Sequence, residues 1–119
     1  MSDMQNDTPI FETEFIGKVL VIRCPRELKM QDGIALSKNL QEIFETDATR
    51  IVFNLKGTNY MDSVGIGILL TKWKQSREMR GNVKLACVSS LVLEIMKSLG
   101  LTEILEIFQT EKEAIDSFQ

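Results

Sequence analysis

A chain of 119 residues with 44% hydrophobic and 26% charged residues has the make-up of one soluble globular domain. That length buries roughly two-thirds of the unfolded surface, enough for a core without metals or disulfides. A formal charge of −3 argues against nucleic-acid binding, which needs basic residues to neutralise phosphates.

No run approaches the roughly 20 apolar residues that cross a bilayer, so no membrane insertion is expected. The opening MSDMQNDTP is polar and acidic, unlike a secretory signal, and cytoplasm is the expected compartment. Residues 1–9 read as a flexible tail and 10–119 as the domain. Phe11–Ile16 and Lys18–Cys24 alternate as two strands around a turn at Gly17, a hairpin that Pro25 ends. The strand near 11–16 is an edge that another chain can use, which leaves oligomeric state open. A helix opens at Gln31 or Asp32 and runs to about Glu45, with Ile34, Leu36, Leu40, Ile43 and Phe44 on its apolar face.

Ile51, Val52, Phe53 and Leu55 suit a buried strand, and Gly57, Thr58 and Asn59 signal a turn. The period then changes. Ile66, Leu69, Leu70 and Trp73 fall on one helical face, taken as the core side, with Trp73 packed under the sheet. Val64, Ile68 and Thr71 fall on the other side, with Gly67 at its edge, so Val64 and Ile68 are expected to form an exposed patch suited to docking. Tyr60 reads as a turn residue covering the strand end. Gly81-Asn82 ends the helix near Arg80; Lys72, Lys74, Arg77, Arg80 and Lys84 form a local basic cluster, of which the four in the later turns of the helix are expected to complement its dipole and stay solvated.

Val83–Val88 is the next strand. Ser89 or Ser90 caps a helix carrying Leu91, Leu93, Ile95, Met96 and Leu99, which Gly100 stops. Leu105–Phe108 is strand-like, and Thr110 with Glu113 makes a capping box for a last helix through Ala114, Ile115 and Phe118. The order is β-β-α-β-α-β-α-β-α. It predicts an α/β domain with a mixed, mostly parallel sheet of about five strands and four helices mainly on one face.

Asp62 and Ser63 sit where strand gives way to helix, at free backbone N–H groups and the positive end of the dipole. Either residue can be the N-cap. A catalytic Ser63 needs a base, yet the chain has no histidine and Asp62-Ser63-Val64-Gly65 is not a nucleophile elbow. The third reading is a hydroxyl that another enzyme modifies; a phosphate there adds about −1.5 to −2 charges beside Asp62. Gly65 and Gly67 each cost a helix about 0.5–1 kcal/mol, which points to close approach by the chain's own sheet or by a partner. No P-loop or dinucleotide glycine pattern exists, so the chain is not read as an enzyme. Cys24 and Cys87 read as small buried hydrophobes, and neither a metal site nor a cofactor is expected.

The run Asn59-Tyr60-Met61-Asp62-Ser63-Val64-Gly65-Ile66-Gly67-Ile68-Leu69 resembles the signature of the STAS domain of bacterial anti-sigma-factor antagonists, M-D-S-[ST]-G-[LI]-G after a hydrophobic strand. The resemblance extends over nearly the whole chain and implies the same element order. It implies Ser63 as the phosphorylation site, and a partner-binding surface at Asp62, Val64, Gly65, Gly67 and Ile68. It further implies partner switching in transcription regulation. The unphosphorylated domain binds an anti-sigma factor that is also a serine kinase, of GHKL type, and a serine phosphatase resets the modified form. An alternative within the same fold is a non-switching scaffold or accessory subunit of a signalling assembly or a lipid-transport ATPase. Two departures stand out: Val64 replaces a frequent serine or threonine, and Cys24-Pro25-Arg26-Glu27-Leu28-Lys29-Met30 replaces a Gly–x–Leu–Asp-like loop, which bears on partner choice.

Overall fold

The computed structural model describes residues 11–28 and 41–118. The expected tail and the start of the first helix lie outside them. Strands β1 (Glu12–Ile16) and β2 (Val19–Arg23) form the expected antiparallel hairpin around Gly17, whose φ of +62° suits glycine. A two-residue strand β3 (Glu27–Leu28) follows, and residues 41–45 are helical (α1). Then come β4 (Arg50–Asn54), a second two-residue strand β5 (Tyr60–Met61) and α2 (Ser63–Glu78). The chain continues with β6 (Asn82–Ala86), α3 (Ser90–Ser98), a 3₁₀ turn (Leu101–Glu103), β7 (Glu106–Phe108) and α4 (Glu111–Asp116). No helix among the described residues is long and apolar enough to cross a membrane.

The main sheet has five strands in the order β1-β2-β4-β6-β7, and every pair after the hairpin is parallel. Alternation divides its side chains between two cores. Leu20, Ile22, Ile51, Phe53, Val83 and Leu85 face Ile43 of α1, Ile66 and Leu69 of α2, and Val92 and Met96 of α3. Val19, Val21, Val52 and Ala86 face Ala114 of α4, with Phe108 and Phe118 at the margin. Three helices thus cover one face and the last covers the other. β3 pairs with β5 in a separate short parallel ladder, a feature absent from the sequence reading because two residues carry no period.

One expectation about cations is corrected. Lys72 is fully buried: its stem lies on the inner side of α2, and its ammonium donates to Thr46 O at 3.4 Å and Gln75 Oε1 at 3.3 Å, closing the C-terminal end of α1. Burial lowers its pKa. Lys84 lies on the α4 face of β6, where its ammonium sits 4.3 Å from the Phe118 ring centroid, donates to Ser117 Oγ at 2.8 Å and pairs with Glu106 at 3.2 Å.

The end of α2 also differs in detail. Arg80, not Gly81, takes the left-handed conformation (φ +66°), and the Gly81 N–H donates to Ser76 O at 2.7 Å. Gly81 is needed for space instead, because a Cβ there would run into the Thr49 backbone. Ser89 is the cap of α3, accepting from Val92 N at 3.3 Å, and Thr110 and Glu113 form the capping box. In α3 only Val92 and Met96 are buried; Leu91 lies well off the face that this pair turns to the sheet, and Leu99 is the C-cap residue past the helix end, so both are 58% exposed.

Glu111 ties α4 to two strand ends, accepting from Arg23 Nε at 3.0 Å, Arg23 Nη2 at 2.9 Å and Asn54 Nδ2 at 2.7 Å. The Arg23 guanidinium holds its carboxyl below the ordinary value of 4.5. A carboxyl depressed in the folded state contributes stability above its unfolded pKa and loses it as pH falls through the folded pKa. Glu111→Gln should therefore be less stable than wild type at pH 7 in urea unfolding, with the gap closing below about pH 4; a gap independent of pH would rule the linkage out. Gly81→Ala should cost about 2 kcal/mol by overpacking, whereas Gly57→Ala, with open space around it, should stay within about 0.5 kcal/mol. Equal melting temperatures for the two would contradict the Thr49 contact.

Candidate functional site

The loop after β4 is pinned before it reaches Ser63. Lys56 N donates to Asn54 Oδ1 at 2.8 Å, Thr58 N to Leu55 O at 2.9 Å, and the buried Thr58 hydroxyl to Pro25 O at 2.7 Å. Asn59 N then donates to Arg26 O at 2.8 Å, and β5 runs beside β3 with Tyr60 opposite Glu27 and Met61 opposite Leu28. Asp62 N closes the ladder on Leu28 O at 3.0 Å. Tyr60 is 44% exposed and Met61 is buried, so the ladder turns one side chain outward and one into the core.

Asp62 is the N-cap of α2. Its backbone is extended (φ −108°, ψ −167°), and its Oδ1 accepts from Val64 N at 2.9 Å and Gly65 N at 3.3 Å. Of the two residues that could have capped the helix, the carboxylate takes the role. Ser63 is consequently the first helical residue, exposed, and its hydroxyl forms no hydrogen bond to the described residues.

The helix is rotated from the expected orientation. Its buried residues are Gly65, Ile66, Ile68, Leu69, Lys72 and Ser76, an arc to which Ser63 is roughly opposite at 100° per residue. The exposed Val64–Ile68 patch is corrected: Ile68 is only 4% exposed and Val64 half-buried. Leu70 and Trp73 are only partly buried against the core. The apolar residues of α2 encircle the helix, so hydrophobic spacing alone does not choose its inner face; the buried Lys72 and Ser76 reveal it. The side of α2 shared with Ser63 carries Gly67, Leu70, Thr71 and Lys74, a set recoverable from the sequence by stepping i+4, i+7, i+8 and i+11 from Ser63.

The two glycines separate cleanly. A Cβ on Gly65 would lie 2.8 Å from both Leu28 Cβ and Leu28 O, so Gly65 is required by the β3–β5 ladder packed on the first turn. Gly67 has open space around it and no such requirement. Burial pushes the Cys24 thiol up, keeping it protonated. Among the described residues no group of His, Cys, Asp or Glu side chains is placed to hold a metal ion.

A family model for the STAS domain matches residues 11–114. The anti-sigma F factor antagonist of Paenibacillus polymyxa is 26% identical over 109 residues, which span 91% of this chain and 93% of that protein. The structure of the anti-sigma factor antagonist SpoIIAA in its unphosphorylated form superposes with a TM-score of 0.73 at 28% identity, covering 91% of this chain and 95% of that one. The Bacillus cell fate determinant SpoIIAA in the phosphorylated form gives 0.69 at 25% identity, covering 92% and 99%. With its sheet order and the matched residues taken together, the chain belongs to the STAS domain family.

Proposed function

We propose that this protein is an anti-sigma-factor antagonist whose hold on an anti-sigma factor is switched off by phosphorylation of Ser63. One observation carries the reading: Ser63 is exposed and its hydroxyl has no hydrogen-bond partner among the described residues, because Asp62 has taken the capping role. A kinase can then reach that oxygen without unfolding the helix. Similarity to anti-sigma factor antagonists, and to SpoIIAA in both its phosphorylated and unphosphorylated forms, supports the same assignment.

The partner in this reading is an anti-sigma factor that is also a serine kinase of GHKL type, and a serine phosphatase restores the binding form. Ser63, Val64 and Gly67 make the docking face, while Asp62 and Gly65 hold its backbone in place. Ile68 supports the face from beneath and does not itself touch the partner. The bare backbone at Gly67 lets a partner main chain come close. A dianion at Ser63 would have to enter that contact beside the Asp62 carboxylate. Burying it without a compensating cation costs several kcal/mol, and a loss of about 3 kcal/mol already weakens binding more than 100-fold.

The test is calorimetric titration of purified anti-sigma factor into wild-type protein, Ser63→Ala and Ser63→Asp. Ser63→Ala should bind within about threefold of wild type, and Ser63→Asp should lose about 100-fold. Equal binding by Ser63→Asp, or an intact mass that never gains a phosphate with kinase and ATP, would favour a non-switching scaffold. Gly67→Leu tests the face itself. It should raise or preserve the melting temperature, since leucine favours a helix by up to about 1 kcal/mol over glycine, yet weaken binding at least about tenfold. Undiminished affinity would remove Gly67 from the interface.

A further inference from the structure

We propose that the free edge of β1 accepts an extended segment of another protein as an added strand, with basic side chains opposite Glu12 and Glu14 and apolar ones opposite Thr13 and Phe15. β1 is the outermost strand of the main sheet. Gly17 and Lys18 form a two-residue turn closed by Ile16 and Val19. Antiparallel pairs alternate between bonded and non-bonded. Glu12, Glu14 and Ile16 therefore bond to β2, and the main-chain groups of Thr13 and Phe15 turn outward. Among the described residues nothing else pairs with them. Such a row of unpaired N–H and C=O groups is a template for a further strand.

The side chains define what that strand would carry. Thr13 and Phe15 share the face of Leu20 and Ile22, on the side of α1. Phe15 is 59% exposed there, beside a hollow of about 150 Å3 lined by Thr13, Phe15, Leu20, Ile43, Glu42 and Thr46. The hollow has room for one aliphatic side chain of an incoming strand. On the other face Glu12 and Glu14 are exposed, and Glu14 also pairs with Arg23 at 2.8 Å. The hairpin's remaining cation, Lys18, lies in the turn beyond the strand.

A cross-strand lysine or arginine meets these carboxylates favourably, whereas like charges directly opposite are destabilising. That decides between occupants. A second copy paired antiparallel about Glu14 sets Glu14 against its own counterpart, and pairing about Thr13 sets Glu12 against Glu14; pairing about Phe15 avoids like charges only by setting Glu12 against Lys18, which lies in the turn and not in the strand. Charge thus favours a different, basic chain over self-association. The surface is separate from the Ser63 face, so it does not depend on the phosphorylation reading.

The probe is a heptapeptide of alternating lysine and valine, with its glutamate–valine counterpart as control, titrated into the full chain and followed by amide NMR. The lysine peptide should shift and protect from exchange the Thr13 and Phe15 amides with a Kd below about 1 mM; the glutamate peptide should do neither. Thr13→Pro removes an outward N–H without touching the β1–β2 ladder, and should abolish the effect while β2 and β4 amides stay protected. Glu12→Lys should weaken binding of the lysine peptide severalfold. Absence of protection at Thr13 and Phe15, equal response to both peptides, or concentration-dependent dimerisation through β1 would each overturn the proposal.

Discussion

Everything at the front of α2 depends on the Asp62 carboxylate accepting two main-chain N–H groups, those of Val64 and Gly65. A helix start leaves such donors without partners, and a side-chain cap is worth about 1 kcal/mol. Had the Ser63 hydroxyl filled that role, its oxygen would have been turned toward the backbone. Modification would then have broken the cap and coupled chemistry to the stability of the fold. With the aspartate in place the two are uncoupled: one residue holds the helix start, and its neighbour stands free at the surface. A stable helix and a reachable hydroxyl are compatible only because two adjacent positions divide the work.

That division needs a firm floor. Leu28 and Met61, paired across the short β3–β5 ladder, press on the first turn of α2 so closely that only glycine fits at position 65. The Thr58 hydroxyl on Pro25 O and Asn59 N on Arg26 O fix the loop to the segment following β2. The unusual Cys24–Leu28 sequence is therefore not merely a variable loop; it forms part of the support beneath the candidate site. Changes there act on the position of Asp62 through backbone contacts.

The hairpin, the parallel strands and the caps at Ser89 and Thr110 were legible in the sequence because each rests on a local signal: alternation, a hydroxyl before an apolar run, a glutamate three residues on. The face of α2 was not. Leucine and isoleucine lie all around it, and two of its most buried positions are a lysine and a serine. Lys72 looks like a surface cation in one dimension; only the meeting of α2 with the end of α1 gives its ammonium the Thr46 carbonyl. Lys84 is similar, its position set by Phe118 at the far end of the chain. β3 and β5 are too short for periodicity and exist because each supplies the other's ladder. The separate fates of Gly65 and Gly67 likewise emerge only when Leu28, distant in sequence, comes to rest against one of them.

The electrostatics of the helix start then determine where a switch of this kind obtains its free energy. A phosphate on Ser63 would lie at the positive end of α2, an interaction of roughly 0.3–1 kcal/mol at an exposed position. It would also lie beside the Asp62 carboxylate, an opposing effect of similar size through water. The two terms nearly cancel, and both are present whether or not a partner is bound. They leave the stability of the free domain almost unchanged and contribute little to discrimination. What differs between the free and bound states is hydration. In the free chain water surrounds the dianion; in a complex seated on Ser63 and Gly67 that water must leave. In the proposed switch the ratio would accordingly come from desolvation at the contact, and it would require a rigid site that presents the same surface in both forms.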